Sequence, residues 1–348
     1  MSKNLKKNRM FKNMITILSF MVIMFMALHT SCAQESIEWL HFKPNTTNSK
    51  DKKIVLISGD DEYRSEESLP MLAKILTEHH GFECVVLFAI DPITKQIKPD
   101  YQKNIPGLHH LEDADVMILA LRFRDLPDHQ MKYIDNFLKE GKSVIGLRTS
   151  THAFNFPKDS KSSYSYYGYN TKDGGWVGGF GKLVLGETWV NHHGDHGTEG
   201  TRAFVNGLET KQLHPILQGV KDIWGPSDVY GIQNKLQGSS ILLFGQPTKG
   251  MVESSPVNIE KSIMPIAWTR NYMIPSGKKG KAFTTTMGAS IDFISQDLRR
   301  LIVNACYWAV NSQDRIDLTL NVDIIGEYNP SMFGFGTYTK GKYPNDYR

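Results

Sequence analysis

Three imidazoles and two carboxylates crowd into the nine positions Asn191-His192-His193-Gly194-Asp195-His196-Gly197-Thr198-Glu199. Imidazole exchanges protons near neutral pH and is the commonest metal ligand, so two chemistries fit this density. In one, His193 or His196 is a general acid or base and Asp195 orients it. In the other, His192 and His196 ligate a divalent metal. Their four-residue separation would suit one face of a helix, but Gly194 and Gly197 favour a loop. Surface histidines without a task would give the same composition, because loop residues need no packing role.

Three further polar clusters each follow an apolar run. Asp60-Asp61-Glu62-Tyr63-Arg64-Ser65-Glu66-Glu67 follows KIVLIS at 53–58. Glu62, Tyr63 and Arg64 stand nearest the run and fit a site, Glu62 as a second orienting carboxylate. Glu66 and Glu67 fit a helix start equally well, where acidic groups offset the positive dipole end. Arg122-Phe123-Arg124-Asp125 follows DVMILAL at 115–121. Arg122 suits an anionic or polyhydroxy ligand, although surface pairing of Arg124 with Asp125 or Asp128 explains the same pattern.

The sharpest transition is KSVIGLRTSTHAF at 142–154, where Val144, Ile145 and Leu147 break into Arg148-Thr149-Ser150-Thr151-His152. Arg148, Thr149 and Ser150 are ligand-binding candidates and His152 a catalytic one. A Ser or Thr attacks only with an adjacent base, and such a turn more often caps the following helix. Tyr164, Tyr166, Tyr167 and Tyr169 offer rings that would stack on a sugar or pack at a core edge.

The elements that must position these groups alternate strand and helix with short connections, the pattern of a doubly wound parallel sheet. Strands are expected at 53–58, 85–90 and 115–121, and a fourth through Val144, Ile145 and Leu147. Helical stripes run through Leu69, Leu72, Ile75 and Leu76, ending at Gly81, and through Met131, Ile134, Phe137 and Leu138 between Pro127 and Gly141. Regularity is lost over 155–202, where one helix is expected at 179–185; an unstructured stretch of that length is usually functional or disordered. Strand-like runs return at 240–244, 264–269 and 281–287, before a helix at 297–310. The aromatic, Gly-rich tail reads as an ordered strap over the body, since disordered tails carry few aromatics. In such sheets ligands bind beyond the strand carboxyl ends, where all four clusters would fall.

The first residues read as an export leader: Lys3, Lys6, Lys7, Arg9 and Lys12 precede an apolar run from Met14 to Leu28, too short to span a bilayer comfortably. Lipoprotein processing with Cys32 lipidated is the first reading; ordinary cleavage after Ala33 is its rival. Subtracting the five basic residues turns the formal net charge of +4 into −1, which excludes the basic footprint of a nucleic-acid binder. Membrane contact is then expected only through the lipid anchor, on a periplasmic or outer-membrane protein. Cys84 and Cys306 remain, both in apolar patterns, so buried thiols are expected rather than a disulfide. The organisation expected is a leader at 1–32, a linker at 33–50, one α/β domain at 51–312 and an extension at 313–348.

The segments KIVLISGDDEYRSEE, LRFRDLPDHQM, VIGLRTSTHAF, WVNHHGDHGTEGTR and GKAFTTTMGASIDF, spanning 53 to 312, together resemble the ThuA-like (trehalose-utilisation) family. That family belongs to the class I glutamine amidotransferase-like superfamily, so the resemblance implies a flavodoxin-like fold and a sugar-related role on a carbohydrate, glycoside or keto-sugar. Two departures bear on chemistry. The superfamily's nucleophilic Cys would fall at or near Thr149 and Ser150, which excludes thioester-forming glutamine hydrolysis. Where family members commonly carry Gly-His, this chain has Gly288-Ala289-Ser290. Three readings stay open: a hydrolase or lyase-like enzyme on glycosides, with Arg122 and Arg148 fixing ligand oxygens; a non-catalytic carbohydrate- or partner-binding surface lipoprotein; and a metal-dependent hydrolase using the histidine loop. No cofactor beyond that divalent metal is expected.

Overall fold

The computed structural model describes residues 37–45, 51–172, 174–204, 214–233 and 236–348. The export leader and Cys32 lie outside the described residues. Ten strands form one sheet: β1 (Trp39–Phe42), β2 (Lys53–Gly59), β3 (Glu83–Phe88), β4 (Val116–Leu121), β5 (Ser143–Leu147), β6 (Thr201–Phe204), β7 (Asp222–Gly225), β8 (Ser239–Pro247), β9 (Met264–Tyr272) and β10 (Gly280–Thr285). Their spatial order is β1-β3-β2-β4-β5-β10-β9-β8-β6-β7. β3, β2, β4, β5 and β10 are mutually parallel. Counted along the chain they follow the flavodoxin-like order 2-1-3-4-5, with a switch point between β2 and β4. The fold class is therefore α/β and flavodoxin-like, extended on one side by an antiparallel sheet.

β2, β4 and β5 are buried along their whole length, as continuous apolar runs in a doubly covered sheet must be. Alternate residues feed two cores. Ile54 and Leu56 pack on one face with helices α1 (Ser65–Glu78) and α3 (Gln296–Ala309), whereas Val55 and Ile57 face α2 (Asp128–Lys139). Pro127 immediately precedes α2, and Gly141 takes a positive φ of 73° just beyond it. The second strand begins two residues earlier than its apolar run suggests, and Ile90 instead bridges Ile97.

Three expectations change. The stretch 33–50 is not wholly linker: β1 adds antiparallel to β3 and buries Leu40, a four-residue strand too short to show a period. The helix expected at 179–185 is a π-helical turn over Gly181–Leu185, with Leu185 packed where Gly146 lacks a Cβ. Tyr167 is no sugar platform. It is fully buried, packs tilted against Trp176 at 4.4 Å between ring centres and donates to Asp135 at 3.0 Å, with Tyr164 and Tyr166 packed beside it.

The C-terminal residues do form an ordered strap. His80 contacts Asn321 O at 2.8 Å, Tyr328 donates to Ser290 O at 2.6 Å, and Ile97 N donates to Lys342 O at 2.8 Å. Glu67, expected as a helix-start charge, accepts from Ser290 and from Ser331 N and Oγ, so it ties strap to body.

Its neighbour Glu66 is buried, and neither carboxyl oxygen has a partner among the described residues. Burial pushes this carboxyl up to about 8. A folded pKa raised above the unfolded 4.5 favours the neutral form, so this contribution to stability is complete below about pH 4.5 and lost as pH rises through 8. Urea unfolding across that window should show Glu66→Gln losing less stability with pH than wild type. Parallel profiles would refute the assignment.

Candidate active site

The segments that follow three of the parallel strands each hold a residue with positive φ that is not glycine: Arg64 (φ 61°) beyond β2, Phe123 (φ 52°) beyond β4 and Arg148 (φ 44°) directly after β5. Such conformations cost on the order of 1–3 kcal/mol each and persist only where surroundings enforce them, commonly at functional sites. Arg148 thereby turns toward Asp228, whereas Arg64 turns toward the C-terminal strap. Asp60 organises the first turn, accepting from Glu62 N at 2.8 Å and Tyr63 N at 3.0 Å, and Thr149 Oγ1 donates to its other oxygen.

Arg148 is 1% exposed and reaches across to Asp228, which is fully buried; its Nη2 lies 2.7 Å from Asp228 Oδ1 and 3.0 Å from the Tyr63 hydroxyl. Its Nη1 donates to Thr286 O at 2.7 Å, and the guanidinium lies between the rings of Tyr63 (4.4 Å) and Tyr230 (3.8 Å). Burial opposes the charge, but Tyr230, Tyr63 and Asp228 outweigh it and hold Arg148 well above its ordinary range. Burial likewise pushes the Asp228 carboxyl up, and Arg148 with the two imidazoles described next more than reverses it, leaving an anion.

The histidine loop pairs with the segment carrying Asp228. His192 bridges Tyr230, and His193 N and Gly194 N both donate to Val229 O. A Cβ on Gly194 would stand 3.1 Å from Asp228 Cβ, so glycine permits the approach. His192 Nδ1 donates to Asp228 Oδ2 at 2.7 Å, and its Nε2 has no hydrogen-bond partner among the described residues. A turn closed by Glu199 N to Asp195 O brings up His196. Its Nδ1 lies 3.1 Å from Asp228 Oδ1 and its Nε2 3.0 Å from Glu62 Oε1, so both ring nitrogens face carboxylates. The hydrogen bond to Asp228 chiefly raises the His196 pKa, and Glu62 adds to it. Burial raises that of Glu62, with Asp60 beside it. The two imidazoles stand 4.5 Å apart, walled by Trp189, Tyr230, Tyr63 and Phe333.

Of the residues singled out from sequence, Glu62, Tyr63, Arg148, His192 and His196 converge here, and Arg122 borders them, 3.8 Å from Glu62 and 3.2 Å from Asp61. Others do not. His193 turns outward to Ser262 O at 2.7 Å, and the exposed Asp195 pairs with Lys261 at 2.8 Å. Arg64 points into the strap, to Gly334 O and Thr337. Ser150 donates to Leu119 O at 2.7 Å and Thr149 to Asp60, and both residues are fully buried, so neither hydroxyl is open to a ligand. His152 is buried behind Tyr230, Trp189 and Phe123, and burial pushes its pKa well below the ordinary value. Burial likewise raises the thiols of Cys84, to about 12, and Cys306, so neither supplies a thiolate.

Asp228, Tyr230, Trp189 and Phe333 were not singled out from sequence. Asp228 stands in Gly225-Pro226-Ser227-Asp228-Val229-Tyr230-Gly231, and that acidic residue in a glycine-bounded turn was its one local signal. Asp292 fixes this turn, accepting from Ser227 Oγ at 2.6 Å and from Gly288 N and Ala289 N at 3.0 Å. One atom each from His192, His196 and Asp228 lies within 4.8 Å of the others. Two bonds of about 2.0–2.2 Å to one divalent cation span at most about 4.4 Å, so the three would draw together to hold it. Arg148 already neutralises one Asp228 oxygen, which weakens that fit.

Removing the Asp228 carboxylate should strand Arg148 as a buried, unpaired charge. Asp228→Ala is expected to cost about 3–5 kcal/mol in urea unfolding. His192→Ala, at a half-buried ring, should cost no more than about 1 kcal/mol. Equal losses would show that the ion pair does not hold this edge together.

A family model described as "Trehalose utilisation" (ThuA) matches residues 53–309. Solved structures of similar shape include ThuA-like proteins from Bacteroides uniformis ATCC 8492 (13% identity, TM-score 0.44, covering 77% of this chain and 95% of that one) and Parabacteroides merdae ATCC 43184 (15%, 0.44, 85% and 99%). A weaker likeness is to the exo-β-1,4-mannosidase Op5Man5 from Opitutaceae bacterium strain TAV5 (10%, 0.32, 77% and 36%). No curated protein matches. With the family model running over most of its length, this chain belongs to the ThuA, or trehalose-utilisation, family.

Proposed function

We propose that the protein is an enzyme of carbohydrate metabolism that performs acid–base chemistry on a glycoside, in particular one whose sugar ring carries a ketone. The observation that carries this reading is the linked series Glu62–His196–Asp228–His192, set among aromatic rings. Asp228 holds His192 with its proton on Nδ1, so the unpartnered Nε2 presents a lone pair suited to a general base. His196, between two carboxylates, stays protonated to higher pH and forms the acid with Glu62. On a keto-glycoside, His192 would take the proton beside the carbonyl. The released electron pair forms the C=C bond, the C–O bond to the aglycone breaks, and the Glu62–His196 pair returns a proton to the leaving oxygen. Arg122 and the aromatic walls are suited to a polyhydroxy ring with apolar faces.

The test is product analysis over methyl, aryl and disaccharide glycosides of glucose, mannose and galactose, each with and without one ring hydroxyl oxidised to a ketone. His192→Ala should lower kcat by about 10²–10⁴ on the substrate turned over, and His193→Ala should leave it within about twofold. Binding without conversion would favour a non-catalytic sugar-binding protein instead.

The His192–His196–Asp228 grouping favours a second reading, a divalent-metal centre polarising the same substrate. Elemental analysis of purified protein separates the two. One equivalent of metal per chain, lost in His192→Ala and needed for turnover, supports the metal; full turnover after chelation supports proton transfer by the imidazoles alone.

We also propose that the protein is exported and lipid-anchored at Cys32, on the charge and hydropathy pattern of residues 1–32. Fatty-acid labelling in cells should be abolished by Cys32→Ser. Retained labelling, or none in wild type, would refute the anchor.

A further inference from the structure

The family match ends at residue 309, yet residues beyond it enter the site. The strap is pinned on both sides of a short aromatic finger, Phe333-Gly334-Phe335-Gly336. Ser331 donates to Glu67 from Oγ at 2.6 Å and N at 2.9 Å; Gly334 N donates to Glu62 O at 2.9 Å; Arg64 donates to Gly334 O and Thr337 Oγ1. Gly334 and Gly336 have φ of 153° and 67°, which side chains rarely adopt, so the finger's path depends on glycine. Phe333 lies 5.1 Å from the Tyr63 ring and 5.5 Å from His196. The Arg122 guanidinium lies over the Phe335 ring at 4.7 Å and over the Phe123 ring at 4.4 Å.

Phe335 nonetheless remains 56% exposed, and Met332 beside it 46%. Isolated exposed apolar residues are ordinary. This ring differs in being held by backbone and guanidinium contacts at the rim of a charged site, with its ordering cost met before any ligand arrives. Arg122 adds polar recognition at the same spot: Nη1 is engaged by Asp61, while Nη2 has no hydrogen-bond partner among the described residues and can donate to a hydroxyl.

We propose that Phe333 and Phe335 are specificity-determining residues, forming the wall that receives the part of a glycoside beyond the sugar unit held at His192. The inference rests on the carbohydrate reading above. The occupant it commits to is a second pyranose ring, whose C–H face stacks on the Phe335 ring while a hydroxyl meets Arg122. On this assignment the chemistry of the site belongs to the sheet edge and inserted loops, and discrimination among aglycones belongs to the strap.

Calorimetry on the full chain tests this with two ligands: the tightest-binding methyl glycoside of the panel, and the same sugar bearing a second pyranose. Wild type should bind the disaccharide more tightly. Phe335→Ala should weaken it about five- to tenfold and leave the methyl glycoside within about twofold, with an unchanged melting temperature; Phe335→Tyr should restore the difference. Equal weakening of both ligands, no weakening of either, or a wild type that binds both equally would overturn the inference while the carbohydrate reading stands. If no glycoside of the panel binds wild type, the carbohydrate reading itself has failed and this inference falls with it.

Discussion

The ion pair between Arg148 and Asp228 joins the two halves of the sheet. Arg148 leaves the end of a parallel strand, and Asp228 sits in a turn between strands of the antiparallel extension. Two charges removed from water carry a desolvation penalty of several kcal/mol each, offset only by close pairing and further hydrogen bonds. Nη1 and Nη2 of Arg148 reach a carboxylate, two carbonyls and a phenol, with two tyrosine rings against the guanidinium, while Nε has no partner among the described residues. The left-handed backbone at Arg148 is the local strain that this geometry requires. Because Asp228 is thereby kept ionised, it can polarise both imidazoles at once, so the pair that joins the sheet also supports the proposed proton chemistry.

The parallel core was legible because its strands are buried on both faces and read as unbroken apolar runs. Helix ends were legible at Pro127 and Gly141, where backbone preference acts within a residue or two. The site was legible only as far as local rules reach. Glu62, Tyr63 and Arg148 could be named because a strand end followed by polar residues marks the sheet edge. Choosing among His192, His193 and His196 could not be done locally. Pairing of 192–194 with 229–230 sends His192 inward and its neighbour His193 outward, as adjacent residues on an extended chain must go. That pairing joins segments more than thirty residues apart. Asp228 carried no comparable mark, since its meaning comes from Arg148, eighty positions earlier.

The strap follows the same logic. Its glycines and aromatics forecast an ordered covering, but not that one stretch of it would complete the wall of a site. Only the contacts of Arg64, Glu67 and Glu62 with residues 331–337 place it there. Arg64, which looked like a ligand-binding group, is instead a fastener, and the difference lies in its left-handed backbone, which turns the guanidinium toward the C-terminal chain.

The corner after β5 shows a polar turn whose use is structural. Here Thr149 donates to Asp60, whose other oxygen holds the turn that presents Glu62 and Tyr63, and Ser150 is spent on Leu119 O. Both hydroxyls are fully buried, out of reach of a ligand, and the nearby imidazole of His152 is sealed behind aromatic rings. A covalent intermediate at the corner would therefore need the corner opened before any reaction began. The proposed acid–base chemistry at His192 and His196 leaves the corner intact, because the corner holds Arg148, and through it Asp228, in place.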